Sequence, residues 1–307
     1  MKVTQILLAV FPLTIISFLL CSCQSNEDRS AADVIIYGGT SAGITAAIQS
    51  ARLGKSVIII EPTKRLGGLT TGGLGQTDIG NKQVIGGIAR EFYKNIKNHY
   101  QDSTNWVWQF PSAYKDGGQS RSGIHEDAMW TFEPSAALEV YQDMIKNLDI
   151  TIVYNQQLNR SSGISKIDNV INSISMQSGE TYYGKVFIDA TYEGDLLAAA
   201  DISYTLGREA NAQYGESLNG VQANDLAKTL KGAVSHNGVH HNFIDGVDPY
   251  IIKGDTSSGL LPFISEGGPG IDGQGDRIIQ AYCFRMTLTD HPDNKIPFNA
   301  RFAQIFD

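Results

Sequence analysis

The sequence predicts an α/β fold built on a parallel sheet, and three observations predict it. Residues 34–37 form a short unbroken apolar run followed at once by a glycine pair and a helical pattern. A second run, 57–60, ends in Glu61, and a third, 186–188, ends in Asp189. Strands buried on both faces read as continuous apolar runs, and strands separated by helical segments pair in parallel.

The first unit justifies itself residue by residue. After Val34, Ile35, Ile36 and Tyr37, Gly38 and Gly39 let the chain turn, and Ser41 begins a helix to about Leu53 with Ile44, Ala47 and Ile48 on its apolar side. A helix starting there aims unpaired N–H groups and the positive end of its dipole at whatever lies above the turn, which suits a pyrophosphate. Gly54 closes the helix, and Glu61 stands about 20 residues beyond the first glycine, where an acid suits a ribose hydroxyl pair. The turn reads Gly38, Gly39, Thr40, Ser41, Ala42, Gly43, a GxGxxG pattern with Thr40 in the middle glycine's place. The threonine must either lift the phosphate slightly or offer its hydroxyl. The alternative reading of the same residues is a bare βαβ packing unit.

Further along, 88–99 reads as an amphipathic helix, and 105–130 as an aromatic, polar loop lying over a site. Pro134 opens a helix to about Leu148. Residues 150–154, 170–177 and 181–184 read as a three-stranded insert, the last two strands joined at Ser178 and Gly179 as a hairpin. The expected organisation is a Rossmann-like domain over 33–201, with a loop and helical insert at about 100–133, and a partial α+β substrate domain over 202–307. In that second part a glycine-rich stretch, 254–275, gives way to a strand from 278 to 288.

Composition narrows the partners. The formal net charge of −8 and the absence of a basic run argue against nucleic acid. Lys2 precedes an apolar stretch over 6–20, and Leu20, Cys21, Ser22 and Cys23 resemble a lipobox. That resemblance implies a signal peptide over 1–22, lipid on Cys23, a polar tether over 23–32 and anchorage in the cell envelope as an outer-membrane lipoprotein, periplasmic or surface-facing. An ordinary secretory signal is the alternative. With Cys23 lipidated, Cys283 has no partner for a disulfide or an iron–sulfur cluster and reads as a small buried hydrophobe.

Residues 33–78, together with Gly86, Gly87, Arg90, Glu91, Phe92, the 132–134 FEP, VFIDATYEGDLLAAA over 186–200, GREANAQYGE over 207–216 and the stretch 280–288, closely resemble the FAD-dependent oxidoreductases with a glutathione-reductase-type flavin domain. The resemblance implies an FAD/NAD(P)-binding fold with FAD held by Gly38, Gly39, Thr40, Ser41, Ala42 and Gly43. Glu61 and Pro62 would sit at the adenosine, Arg65, Gly67 and Gly68 in a loop beside the cofactor with Lys64 adding charge, and Ala190 and Thr191 in a small-residue turn. Asp195 is open between a cofactor contact and a helix cap. The implied activity is transfer of a hydride or two electrons from a small organic or sugar-like substrate, with an unidentified electron acceptor. The alternative function is a non-catalytic glycan-binding surface lipoprotein.

No catalytic residue is assigned. Arg90, His125 and Arg285 are candidates for orienting a substrate. His236, His240 and His241 are not taken as metal ligands, because Gly238 interrupts any helix that would align them. The resemblance also leads one to expect a last strand and a glycine–aspartate turn that are not visible before Asp307, so the chain is expected to be a fragment.

Overall fold

The computed structural model describes residues 30–77, 79–114, 126–222, 248–262, 264, 266–267, 270–279 and 287–295. Cys23, His125, His236, His240, His241, Cys283 and Arg285 lie outside them, as do residues 1–29.

The first unit forms as the sequence predicts. Strand β1 (Ala31–Tyr37) turns through Gly38 and Gly39 into helix α1 (Ser41–Arg52), which returns to strand β2 (Val57–Glu61) beside β1. Helices α2 (Gly68–Gly72), α3 (Gly87–His99) and α4 (Pro134–Ile145) follow, and α4 leads into strand β3 (Ile150–Tyr154). Helix α4 stops short of Leu148, whose N–H turns back to the Ile145 carbonyl.

Strands β4 (Ile164–Ile167), β5 (Val170–Ser175) and β6 (Thr181–Asp189) complete a six-stranded sheet in the order β3-β2-β1-β6-β5-β4. Three parallel pairings join β3, β2, β1 and β6, while β4, β5 and the start of β6 run antiparallel. Two strand expectations need correction. The strand of 150–154 belongs to the parallel sheet rather than to the insert, whose remaining member is the four-residue β4. The segments 181–184 and 186–189 are one strand, which pairs with β5 through Thr181, Tyr182 and Tyr183 and continues beside β1 as far as Asp189. Gly184, read as a strand end, is a packing position: a Cβ there would stand 2.6 Å from Ile35 Cγ1. The second half of β6 has a described neighbour only in β1, and Val186, expected to be buried, is 52% exposed.

Alternate residues of the parallel strands feed two cores, as a strand's two-residue period requires. Val34, Ile36, Val57 and Ile59 pack with Ile44, Ile48, Phe92, Ile96, Ala137 and Val140 of the helices, where Phe92 stacks on Tyr141 at 4.4 Å. Ile35, Tyr37, Ile58 and Ile60 pack with Leu158, Ile174, Met176, Tyr182 and Leu196 from the antiparallel side. The parallel strands are thus covered on both faces, which leaves their C-terminal ends as the place for a ligand.

Beyond helix α5 (Asp195–Ala199) come the short helix α6 (Asn211–Tyr214) and a two-stranded sheet of β7 (Tyr250–Ile252) and β8 (Asp255–Leu260). The glycine-rich stretch therefore begins inside a hairpin, with Gly254 in its turn. The strand expected over 278–288 is not present at its described residues: the Ile278 N–H is taken by Asp276, whose carboxylate also pairs with Arg208, so it is not offered to a neighbouring strand.

Candidate nucleotide site

Two glycine loops meet above the C-terminal ends of β1, β2 and β6. The first is the 38–43 turn, where Gly38 has φ +102° and a Cβ would fall 2.8 Å from the Ala190 carbonyl carbon and the Thr191 nitrogen. At Gly43 a Cβ would lie 2.1 Å from the Gly38 carbonyl oxygen, so the helix can seat against the turn only with hydrogen at that position. The floor of the site is therefore made of backbone, and Ala190 closes it from below.

Thr40 serves the protein. Its hydroxyl donates to the Ala190 carbonyl at 2.7 Å and accepts the Gly43 N–H at 3.3 Å, capping α1. Of the two readings of Thr40, the geometry favours a phosphate lifted slightly over one that takes its hydroxyl, because the single O–H is already given to Ala190. The N–H groups of Ser41 and Ala42 remain the first-turn donors that helix geometry leaves without an intrahelical acceptor. Ser41 Oγ is tied to Thr70 Oγ1 at 2.6 Å, which fastens the first loop to the second.

Glu61 is buried at the end of β2, with Oε2 accepting the Gly39 N–H at 2.7 Å and Oε1 accepting the Thr63 N–H at 2.8 Å. One carboxylate thus fixes both the glycine turn and the chain leaving β2. Each oxygen keeps a second lone pair, and Glu61 lines the cleft, so a ribose hydroxyl can still donate to it.

The second loop carries Arg65, Gly67 and Gly68. Arg65 Nε donates to the Thr71 carbonyl at 2.7 Å, which leaves the exposed guanidinium end facing a cleft of about 520 Å³. Gly67 takes φ +98° and donates to the Gly39 carbonyl at 2.7 Å, stitching the loops together. Pro62, Gly38, Thr40, Gly68 and Thr191 also line this cleft. Lys64 is exposed and does not line it.

Thr191 and Asp195 act on α5. The Thr191 hydroxyl accepts the Gly194 N–H at 2.9 Å and donates to Asp189 at 2.7 Å. Asp195 is the first residue of α5 and does not cap it; its carboxylate lines the cleft and pairs with Arg160 at 3.3 Å.

Sequence reasoning missed Tyr192. Its hydroxyl accepts the Leu69 N–H at 2.8 Å and stands over Gly68, where a Cβ would be 2.2 Å away, so an aromatic side chain ties the turn after β6 to the second glycine loop at the edge of the cleft. Its place directly after the Ala190–Thr191 turn was the available signal. Tyr37, inside the second core, accepts the Leu158 N–H at 2.9 Å, and burial pushes its hydroxyl above the ordinary tyrosine range.

Arg90 is not free to orient a substrate. It pairs with Glu126 at 2.7 Å and with Asp127, donates to the Lys82 carbonyl at 3.0 Å, and lies 5.2 Å over the Trp130 ring. A second and larger cavity, about 890 Å³, opens elsewhere, between the aromatic residues of 100–133 and residues 287–294. Among the described residues no group of His, Cys, Asp or Glu is placed to hold a metal ion, and no helix is long and apolar enough to cross a membrane.

Residues 33–305 match the family model described as FAD dependent oxidoreductase. No curated protein matches the chain. Among solved structures, L-proline dehydrogenase from P. horikoshii is 15% identical, with 59% of each chain covered and a TM-score of 0.36. L-amino acid deaminase from Proteus vulgaris is also 15% identical, over 59% of this chain and 52% of that one, with a TM-score of 0.38. Thioredoxin reductase from T. acidophilum is 21% identical over 52% of this chain and 35% of that one, with a TM-score of 0.30. The chain thus spans 59% or less of the length of these three.

Proposed function

Since the chain belongs to the FAD dependent oxidoreductase family, we propose that FAD occupies the cleft between the two glycine loops and that the protein removes a hydride or two electrons from a small organic or sugar-like substrate. When bound, FAD supplies the electron-accepting ring. The chain's own part is to bind, orient and shield.

The observation that carries this reading is the cradle at 38–43. Hydrogen-only positions at Gly38 and Gly43 let the end of β1, the start of α1 and the Ala190–Thr191 turn close on one another, which sets the N-terminus of α1, with the N–H groups of Ser41 and Ala42, at the end of the sheet where a diphosphate can meet it. Arg65 brings a cation to the same cleft, and Glu61 with Pro62 forms its adenosine end. Tyr192 adds an aromatic side chain to the cleft wall beside Gly68. On this reading the envelope lipoprotein anchor at Cys23 places the activity outside the cytoplasm, and the electron acceptor is a component met there.

The test is direct. The purified chain, or the chain reconstituted with FAD, should show a flavin absorbance band and release FAD on denaturation. Anaerobic addition of an oxidisable substrate should bleach the band. A colourless protein that takes up no FAD in titration would defeat the proposal.

A further inference from the structure

We infer that the larger cavity, between residues 100–114 and 129–133 on one side and 287–294 on the other, is a binding site for a neutral polyhydroxylated ring, a hexopyranose or a short oligomer of one. The inference rests on the flavoenzyme reading above only in taking this sugar as the substrate.

The walls are aromatic and fixed. Tyr100 and Trp106 meet at 4.9 Å, Trp106 and Tyr114 at 5.6 Å, and Trp108 is braced by His291 at 5.1 Å. The polar ends of three of them are already engaged. Trp106 Nε1 donates to the Tyr100 carbonyl at 2.8 Å, Tyr114 Oη to the Thr131 carbonyl at 3.2 Å, and Tyr100 Oη to Glu133 at 2.9 Å. What these residues still offer a ligand is ring surface, to which the C–H face of a pyranose is matched in shape and polarity.

The remaining lining is rich in hydrogen-bonding groups and poor in positive charge. Glu133 gives Oε2 to Tyr100 and has no described partner at Oε1, while Asp290 adds a second carboxylate and Gln109 and Asn294 add amides. Carboxylates accept from hydroxyls, and amides both donate and accept, which is the complement of a ring carrying several hydroxyl groups. No lysine or arginine is among the described lining residues, so there a phosphorylated or uronic ligand would meet two carboxylates and no described cation. The volume of about 890 Å³ lies within the range of small-molecule sites and admits more than one ring.

The position is consistent with use beside the nucleotide cleft. Gly68 lines that cleft, and a few residues later Gly75 accepts the Phe132 N–H at 2.8 Å in the wall of the larger cavity. Thr287 is tied to the Gly73 carbonyl at 3.3 Å. One short stretch of chain therefore lines the cleft and braces two residues of the larger cavity's wall.

Tryptophan fluorescence tests this, because two of the three tryptophans of the chain line the cavity. The full chain should show saturable change with a panel of glucose, galactose, mannose and their β-1,4-linked disaccharides, and none with glucuronate or choline at equal concentration. Trp108→Ala and Glu133→Gln should each weaken the response at least tenfold, with circular dichroism and flavin uptake unchanged. Saturable binding by choline alone would make the site a cage for a cation and overturn the inference, as would equal binding of glucuronate or silence across the neutral panel. Sugar binding without flavin uptake would leave the inference standing and defeat the redox reading; flavin uptake with no sugar response would do the reverse.

Discussion

At the scale of single residues, the site is governed by where a side chain is forbidden and where one carboxylate does two jobs. Gly43→Val should abolish FAD uptake and cost about 1–3 kcal/mol of stability, since its Cβ alone would overlap the Gly38 carbonyl. Flavin absorbance per mole of soluble protein and a thermal melt measure the two effects. Glu61→Ala should lower the melting temperature of the flavin-free protein as well as FAD affinity. The carboxylate receives the Gly39 and Thr63 N–H groups, and each hydrogen bond to a charged group contributes about 1.5–3 kcal/mol. An unchanged melt with weakened FAD would limit Glu61 to the ribose. Gly38, Gly43 and Glu61 were legible in the sequence because close backbone approach has one residue solution and the acid stands at a fixed distance along a strand–helix–strand unit. Thr40's inward hydroxyl and Tyr192's reach to Leu69 were not, since both depend on partners far along the chain.

At the scale of elements, continuous apolar runs announced β1 and β2, and Pro134 announced α4. The misreadings have physical sources. Strand β4, with sequence ISKI, is short and mostly exposed, so neither length nor burial marks it. Gly184 looks like a boundary but is the point where β6 passes close to Ile35. Two predictions belong here. Tyr37→Phe should cost about 1–3 kcal/mol, because it strands the Leu158 N–H where the chain from β3 enters the antiparallel sheet; chemical denaturation measures it. The second concerns the contact of α3 with the 126–130 segment. Lys94, then Arg90, holds the Asp127 carboxyl down to about 2 from an unfolded value of 3.8. A depressed folded value means that the contribution is complete above the unfolded value and is lost as pH falls toward 2. The near-ultraviolet signal of Trp130, beneath Arg90 and stacked near Tyr93, should therefore change between about pH 4 and pH 2 in the wild type, and much less in Asp127→Asn.

At the scale of the whole molecule, the proposed lipid anchor and the long-range sheet set the terms. Cys23→Ala should abolish incorporation of labelled fatty acid, while Cys21→Ala should leave it intact, because Ser22 supplies the small residue before Cys23 and Leu20 does not before Cys21. Label kept in the first variant and lost in the second would reverse the assignment. The parallel order of β1, β2 and β6 has a further consequence. The hydrogen bond from Thr40 to Ala190 joins residues 150 positions apart, and β6 is the inner neighbour of β1 along its whole length. During synthesis at about 5–20 residues per second, β1 leaves the ribosome roughly 8–30 s before its partner exists. Throughout that interval Ile35 and Ile36 form half of a sheet with no other half, and the cofactor's floor has not been made. A ribosome-stalled chain ending before residue 189 should therefore bind no flavin and depend on a chaperone to stay soluble, whereas one stalled well beyond residue 200 should bind flavin and stay soluble unaided.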